Sequence, residues 1–110
     1  MKIWKYNRRR RRIMIKPEEC KDMIEIRDAI DVIDRQIVQL ISQRSQYVKN
    51  AAKFKKDESA VRDTERIKKV IESKIKLAEG SDASPVLIER LYRTMIDFFV
   101  ADELKEWEKI

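Results

Sequence analysis

Between residues 24 and 56 the chain runs without a Gly or Pro, and its apolar residues recur at Ile26, Ile30, Ile33, Ile37 and Leu40. The steps alternate between four and three, which predicts one long helix with a single buried stripe. Continued at the same steps, the stripe meets Arg44, then Tyr47 or Val48, then Ala51, then Phe54 beside Lys55. Burying an unpaired guanidinium is costly, so Arg44 lies at an edge or meets an anion. Roughly 33 residues at 1.5 Å each make a helix of about 50 Å. A domain of this size has a radius of gyration near ~13 Å, so the helix overhangs what one copy can cover and a homodimer is expected.

Upstream, Pro17, Glu18, Glu19 and Asp22 read as a lead-in turn whose acids complement the positive end of the helix. Residues 56–62 break the periodicity and predict a mobile loop. Asp63 or Thr64 can cap a second helix with apolar positions Ile67, Val70, Ile71, Ile75 and Ala78, ending before Gly80. Ser84 followed by Pro85 starts a third. Its stripe is Ile88, Leu91 or Tyr92, Met95, Phe98 or Phe99, then Asp102 and Glu103, with Trp107 closing it. A carboxylate thus occupies an apolar position, as a guanidinium does in the first helix.

The composition agrees with helices. Hydrophobic residues make up 43% of the 110 and charged residues 42%, with one Gly and two Pro, which suits a single all-α domain of three helices rather than sheet. The net charge of +6 is unevenly placed. Eight of the 26 basic residues, five of them the arginines at 8–12, lie in residues 1–16 with no acid; residues 17–110 carry 18 against 20 acids, a net of −2. The organisation expected is a basic, disordered extension over 1–16, or an upstream start with Met14 as the true beginning, before a helical domain over 17–110. Five arginines could hold RNA, DNA or an acidic surface, so nucleic-acid binding is expected only through this tail.

There is no histidine and a single cysteine, Cys20. This removes the commonest general base, a zinc cage and any intrachain disulfide, and fits a reducing compartment, the cytoplasm. No apolar run is long enough for a secretory signal or a membrane span. An enzyme built from this chain is expected to work with held charges alone.

Arg44 and Lys55 are eleven residues apart, which on one helix places them on the same face about 16 Å apart, a gap fit for a small organic anion. Arg27 lies 17 residues before Arg44, roughly 25 Å along the helix and about 100° around it. It reaches the same ligand only from a second, antiparallel copy. With Arg66 in the first turn of the second helix, the set implies a ligand with more than one carboxylate, since Arg grips carboxylates through two parallel bonds. Glu103 beside such a dianion is expected to be protonated in the complex and to donate a hydrogen bond. The competing reading pairs Arg44 and Arg27 with Asp31, Asp34 or Glu65, leaves Lys55 solvated among Lys53 and Lys56, pairs Arg66 with Asp63, and puts Glu103 at a solvated rim. Cys20 reads as an inert small residue.

Ile26-Arg27, Ala29-Ile30-Asp31, Ile33-Asp34, Arg44, Lys55 and Glu65-Arg66, followed by a third helix with a polar residue at 103, resemble the all-helical chorismate mutases. Pro17-Glu18-Glu19-Cys20, Tyr47-Val48-Lys49, Ala51-Ala52, Phe54-Lys55 and Trp107 are similar to the isochorismate-pyruvate lyase branch of that family. The resemblance implies an intertwined homodimer of the chorismate mutase type II fold. Each site would take Arg27 from the other subunit and Arg44, Lys55, Arg66 and Glu103 from its own. It implies isochorismate or chorismate as substrate and a pericyclic reaction without a cofactor, in which Lys55 stabilises charge on the breaking ether oxygen.

Two departures from the family pattern point toward the lyase. The mutases usually carry Glu after the arginine that Arg66 matches, where this chain has Ile67, and a mutase Ser on the third helix is replaced by Phe99. Losing polar partners for the chorismate hydroxyl favours isochorismate, cleaved to salicylate and pyruvate, with chorismate mutase as alternative or side activity. Position 103, usually Gln in bacterial members, is Glu here as in some eukaryotic mutases, and must be protonated to help. From another class, the chain could be a non-catalytic helical dimer that binds polyanions through its arginine tail.

Overall fold

The computed structural model describes residues 6–7, 12–13 and 15–108, of which 6, 7, 12, 13, 58, 59, 107 and 108 are described by their backbone alone. Two units, Met1–Ser45 and Gln46–Ile110, are taken in turn. Their elements are helical apart from one short ladder, which agrees with the expected all-α class.

In the first unit, β1 (Tyr6–Asn7) pairs antiparallel with β2 (Arg12–Ile13), Tyr6 opposite Ile13 and Asn7 opposite Arg12. Ile15 and Lys16 are exposed and lie outside any regular element, and the rest of the disordered tail expected over 1–16 falls on residues outside those described, 8–11 of the arginine run included. The lead-in turn is present as a 3-10 turn, Pro17–Glu19, with Pro at its first position and Cys20 N–H donating to the Pro17 carbonyl at 3.3 Å. The first helix, α1 (Met23–Ala51), is then opened by a reciprocal pair. Asp22 Oδ1 accepts the Glu25 N–H at 2.9 Å, and Glu25 Oε1 reaches back to accept the Lys21 N–H at 2.7 Å, so two donors that the first turn leaves unpaired are satisfied.

α1 has 29 residues, about 43 Å. Its stripe is only partly covered in the single chain. Val32 is buried and Ile26 and Ile33 are half-buried, but Ile30, Ile37 and Leu40 are exposed, Leu40 at 62%. Among the described residues of its own unit α1 has no second helix to pack against, and Ile30, Ile37 and Leu40 of the face that the periodicity marks stay open.

The second unit takes over at the end of α1, where the α-helix stops at Ala51, short of the residue near 56 expected from the sequence, and tightens into a 3-10 turn, Ala52–Phe54. The Lys55 N–H donates to the Ala52 carbonyl at 3.2 Å, and Lys55 itself is extended at φ −86°, ψ 127°. Residues 56–62, expected as a loop, contain a helical turn, α2 (Glu58–Val61). It forms because Asp57 Oδ1 accepts the Ala60 N–H at 2.9 Å and Val61 is buried to 3% exposure. Periodicity does not register an element one turn long.

α3 (Thr64–Glu79) is capped by Asp63, which accepts the Arg66 N–H at 3.0 Å, and buries Ile71 and Ala78. It ends at Gly80, whose N–H returns to the Lys76 carbonyl at 3.1 Å while Ser81 N–H meets Ala78. α4 (Pro85–Glu108) begins where Ser84 Oγ accepts the Leu87 N–H at 3.3 Å. α3 packs along α4, with the Lys74 ammonium 5.8 Å from the Tyr92 ring centre, and α2 rests on α4 as well. The two open choices on α4 resolve inward for Tyr92 and Phe99, both half-buried, and outward for Leu91 and for Phe98, 65% exposed. The side chain of Trp107 lies outside the described residues. No helix among those described is long and apolar enough to cross a membrane.

Candidate functional site

The inner face of α4 carries a carboxylate one turn beyond Phe99. Glu103 is 8% exposed, the one charged residue buried among those described. A carboxylate so placed needs a partner, because removal from water costs several kcal/mol when nothing compensates. Lys55 supplies it. Its Nζ donates to Glu103 Oε2 at 2.7 Å, a charge-assisted bond between residues 48 apart in the chain. The Lys55 side chain retains 27% exposure, so the ion pair has one buried end and one that meets solvent.

The pairing corrects part of the geometry expected from spacing. The separation of about 16 Å between Arg44 and Lys55 assumed one continuous helix. Lys55 instead follows a 3-10 turn on an extended residue, because α1 ends at Ala51. Lys55 is also not the solvated lysine of the competing reading, and Glu103 is not a rim residue. Glu103 is an acceptor in this pair; the donor role expected of it belongs to a complex with a dianion.

Arg66 lies in the first turn of α3, exposed, with its backbone N–H on the Asp63 cap. Arg44 is half-buried and Arg27 exposed, both on α1 in the first unit. Ile67, directly after Arg66, is half-buried, as is Phe99. Within the second unit the fold therefore joins Lys55 to Glu103. Sequence reading singled out both residues for a ligand and missed that they meet each other. An apolar-position carboxylate and an off-pattern lysine were the available signal.

Cys20 is half-buried at the end of the 3-10 turn, its thiol donating toward the Lys16 carbonyl at 3.6 Å. Desolvation first, then the carboxylates of Glu25, Asp22, Glu18 and Glu19, push its pKa up, so it is a poor nucleophile at neutral pH. That agrees with an inert role.

The stretch that carries these residues is similar to known proteins. Residues 26–104, the stretch that holds Arg27, Arg44, Lys55, Arg66 and Glu103, match the family described as chorismate mutase type II. The chain is 34% identical over 93 residues to the isochorismate pyruvate lyase of Pseudomonas aeruginosa, covering 84% of this chain and 92% of that protein. It is 33% identical over 85 residues to the bifunctional chorismate mutase/prephenate dehydratase of Buchnera aphidicola, covering 76% of this chain but 22% of that larger protein.

Proposed function

We propose that this chain, which belongs to the chorismate mutase type II family of enzymes, is an isochorismate-pyruvate lyase that converts isochorismate to salicylate and pyruvate. The observation that carries the lyase reading is the alignment with the Pseudomonas aeruginosa lyase over 92% of that protein's length. Ile67 and Phe99 support it, because each puts hydrocarbon where the mutases resembled here place a polar partner for the chorismate hydroxyl.

In the proposed reaction the ether C–O bond breaks as a ring hydrogen passes to the methylene carbon of the enolpyruvyl group. Pyruvate leaves and the ring becomes aromatic, with no water, electron or external proton consumed. The protein's work is then to hold a reactive conformer and to stabilise the charge that develops on the ether oxygen. Lys55 is the group assigned to that oxygen. Arg44, Arg66 and an Arg27 contributed by the other subunit of a homodimer grip the two carboxylates. The apolar residues left open on α1, Ile30, Ile37 and Leu40, support the dimer, since a second copy would cover them. Glu103 occupies Lys55 at 2.7 Å. For Lys55 to serve the ether oxygen, Glu103 takes up a proton and becomes a donor to the ligand.

The match to a bifunctional chorismate mutase favours a second reading, conversion of chorismate to prephenate, as main or side activity. Both are decided by one assay. Purified protein is given isochorismate, followed by salicylate fluorescence, and chorismate, followed by prephenate formation. The lyase reading expects salicylate release that Lys55→Ala removes; prephenate formation that far outpaces it would instead establish the mutase, and neither product between pH 4 and 8 would refute both.

A further inference from the structure

Lys55 carries the proposed chemistry, and on its N-terminal side its backbone is held by a single hydrogen bond, from its N–H to the Ala52 carbonyl at 3.2 Å. α1 ends at Ala51, and Lys55 is an extended residue beyond the 3-10 turn. On the other side its position depends on the next element in the chain, α2. That helix is four residues long, and a single helical turn has little stability of its own because nucleation fixes several dihedrals for one hydrogen bond. Two side chains hold this turn in place. Asp57 caps it through the 2.9 Å bond from the Ala60 N–H. Val61, at its other end, is among the most buried residues described. The helix on which α2 rests is α4, the one that carries Glu103.

We propose that Asp57 and Val61 are positioning residues, which cap and anchor α2 and so hold the Lys55 backbone where its ammonium reaches Glu103. The inference rests on the assignment of Lys55 to the ether oxygen. It differs from a merely structural role in one respect: part of the turnover lost on changing Asp57 or Val61 is felt through Lys55.

Asp57 is exposed, so Asp57→Ala removes the cap without opening the core. Loss of a cap shifts a marginal turn by about five-fold toward its open form. For a turn closed about two-thirds of the time that shift roughly halves the closed population, so kcat on isochorismate is expected to fall about two-fold with KM little changed, since Lys55 acts in the transition state while the arginines hold the carboxylates. Asp57→Asn keeps an oxygen for the Ala60 N–H and should recover most of the rate. Val61→Ala, which leaves a cavity against α4, should lower kcat about ten-fold or more if the variant folds. The deciding comparison is a double-mutant cycle. In a Lys55→Arg background, where the cation is kept but displaced and a reduced rate is left to measure, Asp57→Ala should cost clearly less than in the parent; an equal loss in both backgrounds overturns the proposal.

A second readout needs no turnover. Trypsin cleavage after Lys55 and Lys56, taken relative to the same bonds in each variant unfolded in urea, should accelerate about two-fold in Asp57→Ala while helical circular dichroism stays constant. Unchanged cleavage overturns the proposal. If Lys55→Ala leaves salicylate release intact, the catalytic assignment of Lys55 fails by itself, and the trypsin comparison still decides whether Asp57 and Val61 hold the segment.

Discussion

The ion pair between Lys55 and Glu103 makes an unequal prediction for its two partners. Lys55→Met removes the cation and keeps most of the side-chain volume, leaving the Glu103 carboxylate, 9% exposed at its side chain, without its 2.7 Å donor. Breaking a fully buried pair costs about 3–5 kcal/mol. Here the lysine end is 27% exposed, so water already screens part of the attraction and roughly half of that figure, about 2 kcal/mol, is expected. In a domain of this size that is a fall of roughly 10 °C in Tm. Glu103→Leu should cost distinctly less, because a lysine with an exposed end can turn to solvent whereas a buried carboxylate on α4 cannot. The double variant Lys55→Met with Glu103→Leu should return to within about 1 kcal/mol of the parent. Urea unfolding at fixed protein concentration, with equal m-values across the four proteins, measures all of this. Equal losses for the two single variants, or a Lys55→Met loss below about 0.5 kcal/mol, would refute the reasoning that Glu103 depends on Lys55 for its burial.

Three other outcomes are expected. Glu103→Gln, which donates a hydrogen bond through its amide, should raise the rate on isochorismate at neutral pH; a rate that drops removes the donor role assigned to position 103. Leu40→Glu, on the open face of α1, should convert a dimer to monomer in light scattering and abolish turnover with it, and an unchanged mass would show that this face is not the interface. Iodoacetamide should alkylate Cys20 several-fold more slowly at pH 7.5 than it does an unstructured cysteine peptide. A raised thiol pKa means less thiolate at a given pH, so the deficit should close as pH climbs, and alkylation as fast as the peptide's would contradict the shift.

Much of the helical layout was legible because its signals are local. Asp22 with Glu25, Asp63, and Ser84 before Pro85 satisfy the donors of the first turn within three residues, and each starts a helix in the structure. Gly80 ends α3 where the apolar spacing stops, and Ile71 and Ala78 are buried as their spacing requires. Arg44 and Glu103 were legible as candidates for a related reason, since a charge in an apolar register is visible without coordinates, whereas Arg27, Lys55 and Arg66 were named from helix spacing and from the family resemblance.

Tertiary structure decided everything that depends on a partner distant in the chain. Leu91 and Tyr92, or Phe98 and Phe99, sit at neighbouring angles on one helix, and only packing against α3 and the rest of the second unit turns Tyr92 and Phe99 inward. The end of α1 at Ala51 was hidden because the residues beyond it remain good helix formers. α2 was hidden because its stability comes from the burial of Val61 and from resting on α4 rather than from any repeat. The contact between Lys55 and Glu103 joins residues 48 apart, and no local propensity encodes a salt bridge at that separation. Short-range hydrogen bonds and periodicity set where helices begin and which faces are apolar; the choice among equivalent faces, and the meeting of two charges, is made only once the hydrocarbon has been packed.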